Sequence, residues 1–428
     1  MTVLDELRKI CGEEHARLAA TDDRVAGVAP RWVVCPGTGE EVSQLMTLAG
    51  ERDLHVVVRG SGTKLHWGAP PEAAELMVDL SRLSGVVEHA SGDLVVVVRA
   101  GTRMSDLQRQ LGKAGQRLAL DEMVPGATVG GAVATGTAGP LRLRFGSPRD
   151  QVLGVTVVRP DGVIAHSGGK VVKNVAGYDL ARLLTGSYGT LGVLTELAFK
   201  LQPQPPARAY VTRPVRTPAE VRDLAARIKE NKVAPVAMEV ECPVPEDARR
   251  READGGRRIT PRSDSMVLLL EGPAEAVQAR ADRAVALLGG DARVDREPPP
   301  WWGRYPFDRD DVALQVVTPV GQLFGPVYSL RDAARSIPVR IFCSPAAGVM
   351  HAAIPGDTDP DRVSRIVSAA RTVATSHGGH CTVLAAPPGI RSELDIWGPV
   401  DGLDLMRSVK HEFDPDGRLA PGRFVGGI

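Results

Sequence analysis

The chain lacks several of the signatures that assign a protein quickly. Its 428 residues hold five cysteines, Cys11, Cys35, Cys242, Cys343 and Cys381, with no Cys-x-x-Cys pair and no histidine at metal-finger spacing. This excludes an iron–sulfur cluster or structural zinc built by the chain itself, and the odd, scattered count gives no disulfide framework. An excess of either charge is missing too: Lys plus Arg and Asp plus Glu each number 52, so no net field draws the chain to nucleic acid or an anionic membrane. No run approaches the roughly 20 apolar residues of a membrane helix, and the opening MTVLDELRKI lacks the apolar core of a signal peptide. The expected location is the cytoplasm. A Walker loop is absent as well, because the Gly-Lys pairs, Gly112-Lys113-Ala114 and Gly169-Lys170-Val171, are not followed by Ser or Thr.

Three glycine-rich loops stand out instead in the first half. They are Arg59-Gly60-Ser61-Gly62-Thr63-Lys64-Leu65, Pro125-Gly126-Ala127-Thr128-Val129-Gly130-Gly131 and Gly186-Ser187-Tyr188-Gly189-Thr190-Leu191-Gly192. Each adjoins an apolar run, the arrangement needed when bare backbone N–H groups must approach a large phosphorylated ligand. Together they point to one long dinucleotide, FAD. A Rossmann loop would open directly into a helix, whereas the first loop runs into Lys64-Leu65-His66-Trp67-Gly68, a poor helical pattern, and the third runs into the strand-like Val193-Leu194-Thr195-Glu196-Leu197. The nicotinamide reading weakens accordingly. Consecutive N–H groups from Gly60 to Lys64, with the Ser61 and Thr63 hydroxyls, can converge on pyrophosphate oxygens. Arg59 or Lys64 can offset the remaining charge or be a solvated loop residue. The small residues from Ala132 to Gly139 suit either a wall for a ring system or a helix packed tightly on a sheet.

Around the loops the pattern alternates. Residues to about Ala29 carry apolar side chains at helical spacing. Trp32 to Cys35 reads as a strand stopped by Pro36, Gly39 to Ala49 as an amphipathic helix and His55 to Val58 as a buried strand. Leu94 to Ala100 is a strand, Met104 to Leu111 a helix, and Val152 to Ala165 a hairpin turning at Asp161-Gly162. The stiff Gln202-Pro203-Gln204-Pro205-Pro206 marks a boundary. Beyond it, strands at Ala209–Val211, Val236–Val240 and Met266–Leu270 mix with helices at Pro218–Ile228 and Ala274–Leu288. A second proline connector, Pro298-Pro299-Pro300-Trp301-Trp302, precedes runs at Val312–Val317, Val339–Phe342, Val349–Ile354, Val363–Ala374 and Cys381–Leu384. Paired Trp301 and Trp302 read as core packing. The arginine-dense stretch 246–265 reads as a solvated loop. The expected fold class is α+β, with a two-part cofactor domain over 1–205, an α+β cap over 206–405 and a return to the first domain over 406–428.

The ordered loops resemble the FAD-binding domain of the vanillyl-alcohol oxidase and p-cresol methylhydroxylase family: Arg59 to Thr63 its pyrophosphate loop, Thr128 to Gly131 its second loop, and Gly189 to Glu196 its closing strand. Within that family, Gly169-Lys170-Val171-Val172-Lys173-Asn174-Val175-Ala176-Gly177-Tyr178-Asp179 and Pro421-Gly422-Arg423-Phe424-Val425-Gly426-Gly427-Ile428 resemble the FAD-binding E subunits of bacterial glycolate oxidase. The resemblance implies that Arg59, Gly60, Ser61, Gly62, Thr63, Lys64 and Leu65 bind the cofactor. From the second loop it adds Pro125, Gly126, Thr128, Val129, Gly130, Gly131, Ala134 and Thr135, and from the third Gly189 and Val193. Lys173, Asn174 and Tyr178 lie near the cofactor or form a packed loop network. Some members hold FAD covalently through a histidine in the first loop or a cysteine in the second. This chain has no histidine between Arg59 and Thr63 and no cysteine between Cys35 and Cys242, so binding is expected to be noncovalent.

The resemblance also implies oxidation of glycolate or a similar 2-hydroxy acid, in a complex with a second flavoprotein subunit and an iron–sulfur subunit. That reaction needs a group to take the hydroxyl proton, a cation for the carboxylate and a hydride acceptor. Related catalytic subunits carry a His-x-Gly-Asp-Gly-Asn-x-His segment. The matching stretch here, Ser344-Pro345-Ala346-Ala347-Gly348-Val349-Met350-His351, keeps only its last histidine. His351 and Arg423 are the candidate catalytic residues, with Arg144 a further candidate for the carboxylate. A lone histidine on a strand is more often a satisfied structural residue than a base. No metal site is expected. The alternatives are a stand-alone flavin oxidase or dehydrogenase acting on another alcohol or hydroxy acid, and a noncatalytic FAD-binding assembly subunit.

Overall fold

The computed structural model describes residues 2–169, 179–242 and 265–428. Residues 170–178 of the segment that resembles the E subunits, with Lys173, Asn174 and Tyr178, and residues 246–264 of the charged stretch lie outside them. The chain divides into two compact units, one made of Met1–Gly139, Phe145–Gln204 and Val400–Ile428, the other of Pro140–Arg144 and Pro205–Pro399.

The first unit is built on two sheets. Strands β1 (Ala16–Leu18), β2 (Trp32–Val34), β3 (Val56–Arg59) and β4 (Leu76–Asp79) form one, in the order β1-β2-β4-β3, with β2, β4 and β3 parallel. Parallel neighbours need a crossover, and helix α2 (Gly39–Glu51), capped by Thr38 and burying Val42, Leu45, Met46 and Ala49, supplies it between β2 and β3. The second sheet is antiparallel, in the order β5-β6-β10-β8-β9: β5 (Val86–Ala90), β6 (Val95–Arg99), β8 (Val152–Val158), β9 (Ile164–Gly168) and β10 (Val193–Lys200). A short ladder joins β7 (Gln116–Arg117) to β11 (Gln202–Pro203). Valines of β2, β3, β4, β6 and β8 share one apolar core with Leu197 and Phe199 of β10, so the two sheets are halves of a single body.

The sequence reading locates most of these elements within two or three residues of their ends, because a strand buried on both faces shows as an unbroken Val/Leu run. It differs in three places. Helical spacing to Ala29 predicts a long N-terminal helix, but α1 ends at Cys11, where Gly12 turns the chain with a φ of 95°, and β1 follows. Strands β4 and β5 escape the reading. The Ala132–Gly139 run resolves as a short helix, α4 (Val129–Ala134), which is both packed on a sheet and exposed to a cleft.

The second unit is an eight-stranded antiparallel sheet in the order β15-β12-β14-β13-β17-β18-β16-β19. Its strands are β12 (Ala207–Pro214), β13 (Ala237–Glu241), β14 (Ser265–Gly272), β15 (Arg293–Asp295), β16 (Val312–Val317), β17 (Arg340–Ser344), β18 (Val349–Ile354) and β19 (His380–Ala385). Helices Ala274–Leu288 and Pro360–Ser376 pack along it. Trp301 packs against Phe342, with ring centroids 5.3 Å apart, and Trp302 sits edge-on to Tyr210 at 5.5 Å, so the tryptophan pair is part of the sheet's own packing. Among the described residues no helix is long and apolar enough to cross a membrane, and no group of three or more His, Cys, Asp or Glu could hold a metal ion. The α+β class and the architecture match the expectation.

Candidate functional site

In the first unit the three glycine loops meet at one cleft enclosing about 820 Å³, part of it open to solvent. β3 delivers the first loop, and Arg59, Gly60, Ser61, Gly62, Thr63, Lys64 and Leu65 all line the cleft. The second loop contributes Thr128, Gly130, Gly131, Ala134 and Thr135, and the third Ser187, Tyr188, Gly189 and Gly192. Pro125, which is exposed, and Gly126, Val129 and Val193 are not part of this lining. Gly126 accepts the Ser61 hydroxyl through its carbonyl at 2.6 Å, Val129 is buried and donates to the Thr102 carbonyl at 2.8 Å, and Val193 starts β10 in the core.

Loops one and two touch so closely that a side chain cannot fit between them. A Cβ on Gly60 would lie 2.1 Å from the Thr128 hydroxyl oxygen; the second loop is packed as closely on the end of β6, where a Cβ on Gly130 would lie 2.7 Å from the Ala100 Cβ. Thr128 caps α4 by accepting the Gly131 N–H at 3.2 Å. The amides of the second loop are therefore largely spent within the fold: Gly130 donates to Ala100, Val129 to Thr102 and Ala132 to Thr128. The first loop is the opposite case. From Gly60 to Lys64, no backbone N–H has a hydrogen-bond partner among the described residues.

Charge follows the same division. The Arg59 guanidinium is already neutralised, donating to Asp79 at 2.8 Å and to Asp23 at 2.7 Å. Asp23 also takes Arg17 in a two-pronged pair at 2.6 and 3.0 Å, and that bond above all holds its carboxyl well below the usual carboxylate range. Lys64 has no side-chain partner among the described residues although it is only 8% exposed, and burial pushes its ammonium down to about 8 against a weaker upward pull from Glu122. A buried, unpartnered cation beside five unspent amides is a site whose missing counterpart is an anion. The donor set fits a pyrophosphate.

The rest of the cleft is shaped by the third loop and the 421–428 segment. Tyr188 holds a left-handed backbone, with φ of 56°, which is uncommon for a non-glycine residue and characteristic of over-determined sites. Its ring lies 5.7 Å from Phe424, and burial pushes its phenol up to about 12, so the hydroxyl stays protonated. Arg423 also lines the cleft, but its guanidinium donates to the Leu65 and Trp67 carbonyls at 3.4 and 2.9 Å, tying the C-terminal segment to the first loop. Arg144 is exposed on the short helix Arg142–Phe145.

His351 belongs to the second unit. In β18 it pairs with Gln315 of β16 on one side and Phe342 of β17 on the other. The Gln315 amide nitrogen lies 3.1 Å from His351 Nε2, and Tyr305 meets the ring edge-on at 4.8 Å. The donor and acceptor in this contact are set by the ring tautomer and the amide orientation together. Burial, with a smaller contribution from Arg142, holds the imidazole neutral well below its ordinary range. A neutral imidazole offers one N–H donor and one unprotonated nitrogen.

Residues 30–168 match the protein-family model described as "FAD binding domain". FAD is the cofactor of this chain. Similar proteins include an uncharacterised FAD-linked oxidoreductase of Mycobacterium tuberculosis, 29% identical over 95% of this chain and 94% of its own. The glycolate oxidase subunit GlcE of Escherichia coli is 41% identical over 40% of this chain and 49% of its own. A D-lactate dehydrogenase of Archaeoglobus fulgidus is 32% identical over 56% and 55%. Among solved structures, substrate-bound p-cresol methylhydroxylase aligns over 98% of this chain and 95% of its own, with a TM-score of 0.70 at 15% identity. That likeness gives the fold, that of FAD-binding domains of the p-cresol methylhydroxylase type.

Proposed function

We propose that this chain is the FAD-binding subunit of an oxidoreductase that converts glycolate or a similar 2-hydroxy acid to the 2-oxo acid, working with a second flavoprotein subunit and an iron–sulfur subunit. The observation that carries the cofactor half of this reading is the first loop, where unspent amides from Gly60 to Lys64 and the unpartnered Lys64 ammonium face one cleft. These groups bind the pyrophosphate. Thr135, Ala134 and Tyr188 line the space for the rest of the cofactor, and Arg423 keeps the first loop in position. Bound FAD supplies a two-electron acceptor, which no side chain can provide.

The substrate class is supported by relatives named as a glycolate oxidase subunit and a D-lactate dehydrogenase. A multisubunit assembly is supported by the chain's own chemistry. Among the described residues no metal-ligand cluster offers a second redox centre. Electrons leaving the reduced flavin therefore need an external acceptor, the role this reading gives to a partner.

Anaerobic addition of glycolate to the copurified assembly is expected to bleach the flavin absorbance, with D-lactate as comparator. The isolated chain is expected to bleach far more slowly. Rapid bleaching of the isolated chain would favour a self-sufficient dehydrogenase instead. Denaturing the holoprotein is expected to release all flavin into the filtrate, because the loops offer no histidine or cysteine for a covalent link. Flavin remaining on the polypeptide would overturn that expectation.

A further inference from the structure

The helix Leu403–Phe413 is largely exposed, and its one buried residue is a lysine, Lys410, 9% exposed. Burying an ammonium is costly unless each of its three N–H donors finds an acceptor. Here each does: Lys410 Nζ donates to the Thr190 carbonyl at 2.9 Å, to the Leu419 carbonyl at 2.9 Å and to Asp414 Oδ2 at 2.6 Å. Asp414 is itself 2% exposed and accepts the Leu419 N–H at 2.7 Å and the Arg418 N–H at 3.0 Å.

The two carbonyls that Lys410 reaches belong to different segments behind the cleft. Thr190 sits in the third glycine loop, between the lining residues Gly189 and Gly192. Leu419 lies in a short parallel bridge with β3: Val56 donates to the Arg418 carbonyl and Ala420 donates to the Val56 carbonyl, both at 2.9 Å. β3 then runs straight into Gly60. Thus a single ammonium fixes the third loop relative to the strand that carries the first. An apolar residue would fill this site at lower desolvation cost, but it would set no such spacing.

We infer that Lys410, charged and held by Asp414, is a positioning residue for the cofactor, setting the distance between the first and third glycine loops. This rests on the reading that the cleft holds FAD.

The test is FAD titration of folded apoprotein, followed by flavin fluorescence and by the visible circular dichroism of the bound flavin. Lys410→Met is expected to weaken FAD binding about 10- to 100-fold, the loss typical of a charged hydrogen-bond partner, and to alter the dichroism. Leu7→Ala, a core truncation in α1 away from the cleft, serves as a control for lost stability and is expected to keep FAD affinity within about twofold. If Lys410→Met binds FAD within about threefold of the parent, or if Leu7→Ala loses as much affinity for an equal fall in melting temperature, the inference is overturned. Should Lys410→Met fail to fold, Asp414→Asn decides by the same threshold. A parent chain that does not bind FAD removes the cleft reading and this inference together, whereas a binding parent with an unaffected variant removes only this one.

Discussion

Lys64→Met is expected to weaken FAD binding about 10- to 100-fold at neutral pH, since hydrogen bonds to charged groups contribute about 1.5–3 kcal/mol. The pH dependence carries the sharper test. In the apoprotein, burial lowers the Lys64 ammonium from its ordinary 10.5 to about 8. Below that value the cation is present but costs the apoprotein about 3 kcal/mol of stability relative to an exposed lysine, a cost that fades as pH rises from about 8 to 10.5. A pyrophosphate favours the charged form and pulls the value back up. FAD affinity is therefore expected to be highest below about 8 and to fall as pH rises through it, while Lys64→Met is expected to show a flat profile across that window. Affinity of the parent that does not change across it would mean that Lys64 faces no anion.

Gly60→Ala is the second large effect. The position does not have a left-handed φ, so the penalty is one of space: the added methyl would meet the Thr128 hydroxyl at 2.1 Å and the Thr128 Cβ at 3.1 Å. Thr128 cannot simply rotate away, because its hydroxyl caps α4 through Gly131. Overpacking of this kind costs about 1–3 kcal/mol, and here it spreads the first loop from the second, so FAD affinity is expected to fall at least about 10-fold. Pairing it with Thr128→Ala removes the obstructing hydroxyl and is expected to recover part of the loss, although the lost cap itself costs about 1 kcal/mol. A Gly60→Ala chain that binds FAD like the parent would show that the two loops are free to separate.

The loops, the strands that carry them and the α+β class are legible in the sequence because each depends on local signals: glycine where backbone must lie bare, valine runs where strands are buried, proline where pairing stops. What escapes depends on groups brought together over long separations. Arg59 reads as a cation for phosphate until the fold places Asp23 and Asp79 against it, respectively 36 and 20 residues earlier and later in the chain. The second loop reads as a set of donors until Ala100 and Thr102 consume its amides. Tyr188 and Lys410 give no sequence cue, since a left-handed tyrosine and a buried lysine are consequences of their neighbours. Helix Phe324–Ala334 was equally hidden, because it starts without a side-chain cap and carries Gly325-Pro326 in its first turn.

The bridge from Val56 to Arg418 and Ala420 spans most of the chain. On the ribosome, β3 and the first loop emerge long before the segment that completes their sheet, and the whole second unit is synthesised in between. The nucleotide-gripping body thus matures only after the whole second unit has been made, and until then its unpaired strand edge is exposed to mispairing. Premature stop codons anywhere before residue 400 would therefore leave nascent chains unable to load flavin, however intact their glycine loops.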